Sequence, residues 1–218
     1  MDRSLIIGAS GGIGAAIADA LPGEVVRLSR SRDGLDVTDG DSVAGVLGAL
    51  EGPFDRIVLA TGILAPEGGA PEKAMARVEA GAMAQVLAVN AIGPALVLGQ
   101  VPRLLPKEGR AVVAVLTARV GSIGDNRIGG WISYRAAKAA VNQIVHTAAI
   151  ELGRTHREAI CVALHPGTVK TAFTEKYLGR HPAVAAEEAA RNLLSVMDGL
   201  GGDQTGGFYD WAGKEVAW

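Results

Sequence analysis

The chain has 218 residues, and a soft prior of ~150 residues per domain makes one domain over 1–218 the expectation. Hydrophobic residues make up 49% and charged residues 20%, with a formal net charge of −2. This excludes a disordered chain and argues against a nucleic-acid surface or a polybasic membrane anchor.

The N-terminus runs directly into a short strand, Ser4–Ile7, without the long apolar stretch of a secretion signal. The strand is followed by Gly8-Ala9-Ser10-Gly11-Gly12-Ile13-Gly14, which opens a helix over Ile13–Leu21. Glycines at 8, 12 and 14 permit a tight turn and let a pyrophosphate approach the helix N-terminus, where free N–H groups favour anions. Ser10, Gly11 and Ile13 complete the candidate cradle. The second strand, Glu24–Leu28, leads into Ser29-Arg30-Ser31-Arg32. An acid at this strand end would hold an adenosine ribose, whereas Arg30, with or without Arg32, suits a 2′-phosphate. NADP(H) is therefore the expected cofactor, with NAD(H) the alternative, and Asp36-Val37 is expected beside the adenine.

A helix over Asp41–Leu50 and a strand over Arg56–Ala60 come next, then a long helical stretch, Pro71–Gly99. Ala80–Pro102 carries no charge, yet Gln85, Asn90, Pro94 and Gln100 interrupt it. It reads as a helix buried against other protein and not as a membrane span. A strand over Ala111–Leu116 precedes a helix over Ser133–Arg154. That helix holds Tyr134 and Lys138, four apart and so on one face. A lysine ammonium and an oxidised nicotinamide are suitable charges to lower a phenol from its ordinary pKa of ~10 towards ~7, a shift of about 4 kcal/mol. Tyr134 would then donate a proton to a carbonyl oxygen as hydride arrives. A strand over Ile160–Leu164 contains the lone Cys161, which excludes an internal disulfide and reads as a buried, inert thiol. A helix over Ala186–Leu200 and a short strand, Gly207–Asp210, close the chain. The four histidines show no ligand spacing, so no metal site is expected.

Strands alternating with helices predict a doubly wound α/β (Rossmann) fold with a mostly parallel sheet and helices on both faces. Its ligand crevice would lie beyond the carboxyl ends of the strands.

Gly8-x-x-x-Gly12-Ile13-Gly14, Asn90, Tyr134-x-x-x-Lys138 and Pro166-Gly167-x-Val169-x-Thr171 stand in the order and spacing of the short-chain dehydrogenase/reductase family, which the whole chain resembles. Ala60-Thr61-Gly62-Ile63-Leu64, the run Ala118–Asn126 and Phe208-Tyr209-Asp210-Trp211 look more like its C-factor subgroup, which includes a cell–cell signalling protein. The resemblance implies an NAD(P)-dependent oxidoreductase acting on a carbonyl or alcohol, or alternatively a dinucleotide-binding signalling protein with weak turnover. Tyr134 would be the general acid/base. Lys138 would lower its pKa and hold the nicotinamide ribose. Asn90 would hold a water linking Lys138 to solvent. Pro166, Gly167, Val169 and Thr171 would seat the carboxamide. Ala60, Thr61 and Gly62 fill a slot where the family has Asn-Asn-Ala-Gly, and keep only its glycine. The family's catalytic serine has Ala118 in its place. Ser122, beyond a Gly121 turn, is the expected replacement, with Thr117 the other option. Residues 172–185, including Phe173, Tyr177 and His181, would form a short substrate lid. The low-charge helices over Ala80–Gln100 and Tyr134–Glu151 imply a homodimer or homotetramer, and the N-terminus and lone cysteine give a cytoplasmic protein as the expectation.

Overall fold

The structure is a computed structural model and describes residues 3–175 and 182–218. Six strands, β1 (Arg3–Ile7), β2 (Glu24–Leu28), β3 (Arg56–Leu59), β4 (Ala111–Leu116), β5 (Ala159–His165) and β6 (Phe208–Asp210), form one sheet in the order β2-β1-β3-β4-β5-β6. Every pairing is parallel. A parallel sheet must be covered on both faces, and the strands are accordingly almost wholly apolar.

Alternation along each strand divides the core into two layers. Leu5, Ile7, Ile57, Leu59, Val113, Val115 and Cys161 face one way. There they meet residues of α3 (Gly40–Gly48), α5 (Gly93–Gln100) and α6 (Ile132–Leu152), including Leu47, Val97, Val141 and Val145. Ile6, Val58, Ala114, Val162 and Leu164 face the other way, onto Ile17 of α1 (Gly12–Ala20) and Leu193 and Met197 of α7 (Ala186–Gly199). Each such Val, Leu or Ile contributes roughly 1.5–3 kcal/mol by leaving water. α1 ends at Leu21 because Pro22 disfavours a helical residue before it. A short helix, α2 (Arg30–Asp33), follows β2.

The expected strands are present to within a residue at each end. The expected helix over Pro71–Gly99 is not. Residues 60–74 form an irregular connection with a 3₁₀ turn at Met75–Arg77, and α4 begins only at Ala80 (Ala80–Leu87). A π-helical turn, Ala88–Ile92, joins it to α5. Helical structure runs over Ala80–Arg103, the one span among the described residues long and apolar enough to cross a membrane by length and composition. Its α4 and α5 parts pack along α6, and α5 also packs on α3.

The strand order turns at β1, which lies between β2 and β3. The loops leaving β1, β3, β4 and β5 therefore converge at one end of the sheet, where a crevice forms.

Candidate active site

A cleft of about 570 Å³ opens there, lined by Ser10–Ile13 after β1, Ala60–Gly62 after β3, Thr117 and Ala118 after β4, and segments from α6 and beyond β5. That size suits a small ligand. The glycine turn is built from backbone contacts. Gly8 has φ +90, and a Cβ on Gly14 would stand 2.3 Å from the Gly8 carbonyl oxygen, so neither position accepts a side chain. N–H groups in the first turn of α1 have no intrahelical acceptor, and the Ser10–Ile13 backbone lies open to the cleft. This cradle, continuous with the cleft, fits the pyrophosphate and nicotinamide halves of a dinucleotide.

The Gly8 and Ala9 N–H groups donate to Leu28 O at 2.9 and 3.1 Å, which places the end of β2 against the glycine turn. Ser29 is buried and caps α2 by accepting from the Arg32 N–H. Arg30 and Arg32 are exposed beyond it. Asp36 accepts from the Thr38 N–H and Oγ1 at 2.9 and 2.7 Å, and these bonds hold its carboxyl below the usual range. Val37 is buried, with its side chain packed against Gly93, whose added Cβ would meet it at 2.9 Å.

Tyr134 and Lys138 lie one turn apart on α6, both buried and both lining the cleft. The Lys138 Nζ lies 5.7 Å from the Tyr134 ring centroid and donates to Leu116 O at 3.0 Å. Burial alone pulls Lys138 down to about 8 and pushes the Tyr134 phenol above its ordinary value. In the protein without its dinucleotide, burial is the cause that sets the phenol, and it acts against the lowering expected from the lysine and an oxidised nicotinamide together. Asn90 is fully buried in the π-helical turn. Its Oδ1 accepts from the Ile63 N–H at 3.0 Å, and its Nδ2 donates to Ile63 O and Val86 O at 2.8 and 3.0 Å. A Cβ on Gly62 would lie 2.8 Å from Asn90 Oδ1 and 3.7 Å from Lys138 Nζ, so Gly62 lets β3, Asn90 and Lys138 come together.

The serine position differs from expectation. Ser122 does not line the cleft: it follows a 3₁₀ turn, Arg119–Gly121, and its Oγ accepts from the Asp125 N–H at 3.1 Å. Thr117 lines the cleft, but its Oγ1 donates to Asn142 Oδ1 at 2.7 Å on α6. Ala118, beside it, also lines the cleft.

Beyond β5, Pro166, Gly167, Val169 and Thr171 line the opposite wall. The Thr171 Cγ2 would lie 2.6 Å from a Cβ on Gly12, so this wall touches the glycine turn. Phe173 lines the cleft with its ring centroid 6.2 Å from that of Tyr134. Residues 176–181, including Tyr177 and His181 of the expected lid, lie outside the described residues.

Several contributors were not anticipated. Trp131 lies 6.3 Å from Tyr134, edge to face, and at φ +54 it is the only described non-glycine residue with positive φ. It follows Gly129 and Gly130 at φ +69 and +65, and that glycine pair was the available signal. Glu72 brackets it: the Trp131 N–H donates to Glu72 O at 2.5 Å, and Ser133 donates through both N–H and Oγ to the Glu72 carboxylate. Burial tends to raise Glu72, but the Ser133 bonds hold it below the usual range. Nothing local marks Glu72, because the contact spans 61 positions. Arg135 fastens the 119–131 loop by donating to Gly129, Gly130 and Val120 carbonyls. His165 lines the cleft with Nδ1 buried and unpartnered, and burial lowers it to about 4. No group of metal-binding side chains occurs among the described residues.

A family model described as Enoyl-(Acyl carrier protein) reductase matches residues 17–197. The chain is 35% identical over 136 residues to C-signal of Myxococcus xanthus, covering 62% of this chain and 78% of that protein. It is 36% identical over 130 residues to 1-hydroxy-2-glutathionyl-2-methyl-3-butene dehydrogenase of Rhodococcus sp. (strain AD45), covering 60% of this chain but only 56% of that one. Among solved structures, carbonyl reductase Sniffer of D. melanogaster superposes with a TM-score of 0.83 at 20% identity, with full coverage of both chains. An NADPH-bound carbonyl reductase from chicken fatty liver gives 0.84 at 23% identity, covering 100% of this chain and 94% of that one. At these identities the structural likeness speaks for the fold.

Proposed function

The chain belongs to the short-chain dehydrogenase/reductase family of oxidoreductases acting on CH–OH or C=O groups, and from that premise we propose that it is an NADP(H)-dependent carbonyl reductase or alcohol dehydrogenase. The observation that carries this reading is the pair Tyr134 and Lys138, buried on one helix face in a cleft whose other end is the glycine turn. When bound, the dinucleotide supplies or accepts hydride. Ser10–Ile13 would hold its pyrophosphate, Pro166–Thr171 its carboxamide and Lys138 its ribose. The Tyr134 phenol, kept protonated by burial, is poised to give a proton to a carbonyl oxygen. Asn90 keeps Gly62 and Ile63 against the cleft floor. The exposed Arg30 beside the glycine turn supports preference for a 2′-phosphate.

Ala118 favours a second reading, a C-factor-like dinucleotide-binding signalling protein with weak turnover. Calorimetric titration with NADPH and NADH, followed by turnover assays on Tyr134→Phe, separates the two. The enzyme reading expects tighter NADPH binding, and turnover that is lost in the variant while binding persists. Turnover unchanged in the variant would sink it. Exposed Ile92 and Ile150, in the π-helical turn before α5 and on α6, favour a homodimer or homotetramer, and a cytoplasmic location is part of the same proposal. Sedimentation as a single 22.3 kDa species at micromolar concentration would reject the assembly.

A further inference from the structure

The wall after β5 is a backbone corner held at several points. β5 ends at His165, whose register partner on β6 is Asp210. Gly167 turns the chain at φ +78, and the residues beyond it lie along Val184. The Lys170 N–H donates to Val184 O at 2.9 Å, and the Val184 N–H donates to Thr168 O at 3.1 Å. Behind the corner stands Trp211. A Cβ on Gly167 would lie 3.0 Å from Trp211 Cδ1, 3.4 Å from Nε1 and 3.6 Å from Cγ, so the indole covers the space where a side chain would go. Gly167 lines the cleft and Trp211 does not, which puts the indole at the back of the wall. Its mount is a tight turn after β6. There Asp210 Oδ1 accepts from the Ala212 and Lys214 N–H groups at 2.9 and 3.0 Å, and the Gly213 N–H donates to Asp210 O at 2.9 Å.

Trp211 is 47% exposed and also borders a surface hollow of about 360 Å³ with Asn192, Ser195 and Val196. A side chain this exposed contributes only part of the burial energy of a core tryptophan. Its contact with Gly167 matters more, because a glycine in the left-handed region has wide conformational freedom unless something packs on it. Resting on the reductase reading above, we propose that Trp211 is a positioning residue, which fixes the Pro166–Gly167 corner and through it the seat of the nicotinamide carboxamide. A wall ordered before binding spares the dinucleotide the entropy of ordering it, so the effect falls on affinity for the nicotinamide half. It falls on the hydride geometry too, where a shift of about 1 Å can cost on the order of 100-fold in rate. The adenosine half, held by the glycine turn and the residues after β2, lies outside the reach of this contact.

The test uses the full chain, Trp211→Ala and Trp211→Phe, with two ligands measured by calorimetry. One is NADPH, and the other is 2′-phospho-ADP-ribose, the same molecule without its nicotinamide. Trp211→Ala should weaken NADPH about tenfold and 2′-phospho-ADP-ribose less than about twofold, and Trp211→Phe should bring NADPH back to within about threefold of the unaltered chain. Without ligand, the Lys170 amide should exchange with deuterium at least about tenfold faster in Trp211→Ala, with the β1 amides unchanged. If Trp211→Ala fails to fold by circular dichroism, Trp211→Leu takes its place under the same expectations. Equal losses for the two ligands, NADPH affinity unchanged in the alanine variant, or unchanged exchange at Lys170 overturns the inference and leaves the reductase reading standing. So does an unaltered chain that binds NADPH no more tightly than 2′-phospho-ADP-ribose. A chain that binds neither loses the reductase reading, and the inference with it.

Discussion

Asn90 and Ile63 are joined by a reciprocal pair of hydrogen bonds, with Oδ1 accepting from the Ile63 N–H at 3.0 Å and Nδ2 donating to Ile63 O at 2.8 Å. The side chain thereby serves an extended backbone as a neighbouring strand would, just past β3, and ties the π-helical turn to the cleft floor. Asn90→Ala would leave three backbone groups without this partner, the Val86 carbonyl buried and the two of Ile63 partly buried, at a cost of about 2–4 kcal/mol. For a chain of this length, thermal unfolding should then fall by roughly 5–15 °C. A fall of under about 2 °C would show that Asn90 is not a structural tie.

Tyr134→Phe separates chemistry from folding. The Tyr134 hydroxyl has no hydrogen-bond partner among the described residues, so its loss should leave thermal stability and NADPH affinity nearly unchanged. Carbonyl reduction should drop by about 100- to 10,000-fold, in kcat more than in KM. A variant retaining more than about a tenth of wild-type kcat would place the proton donor elsewhere.

Lys138 should set the alkaline limb of reduction. Burial lowers it to about 8, so its charge is present below that pH and is lost as pH rises through it, while Tyr134 stays protonated. The rate should therefore decline above pH 8 with one apparent pKa. Stability moves the opposite way. Between about 8 and its ordinary value of 10.5, the unfolded chain binds a proton that the folded one does not, so stability from this group rises with pH across that window. Denaturant unfolding at several pH values, compared with Lys138→Met, would show the difference, and identical slopes would refute it.

Arg30→Ala should weaken NADPH binding by about 10- to 100-fold through loss of a charge-assisted contact, with NADH binding altered less than about twofold. Calorimetry on both dinucleotides measures this directly. Equal losses for the two would mean that Arg30 does not read a 2′-phosphate.

The strands could be read from sequence because a parallel sheet buried on both faces demands unbroken apolar runs, and the loops leaving β1, β4 and β5 followed from them. Tyr134, Lys138 and the glycine turn were visible because their spacing is local. The readings that failed depended on contacts far along the chain. The absence of charge over Ala80–Pro102 was extended back across Pro71–Glu79, although Glu72 is used there to fasten Ser133 in a distant helix. Ser122 was placed by the Gly121 turn before it, and a 3₁₀ turn there leaves its hydroxyl accepting from the Asp125 N–H instead.

Glu72 holds Trp131 by its backbone N–H and Ser133 by its N–H and hydroxyl, and Tyr134 follows directly after Ser133. The surface that selects the substrate and the group that protonates it are therefore mounted on one short piece of backbone with one fastening. Three consecutive left-handed residues leave that piece little freedom to shift one without the other. A lineage of such enzymes would find new substrates hard to acquire by changes at 129–133 and easier to acquire through Val120, Ile128 or Phe173, whose side chains border the cleft from outside that mount.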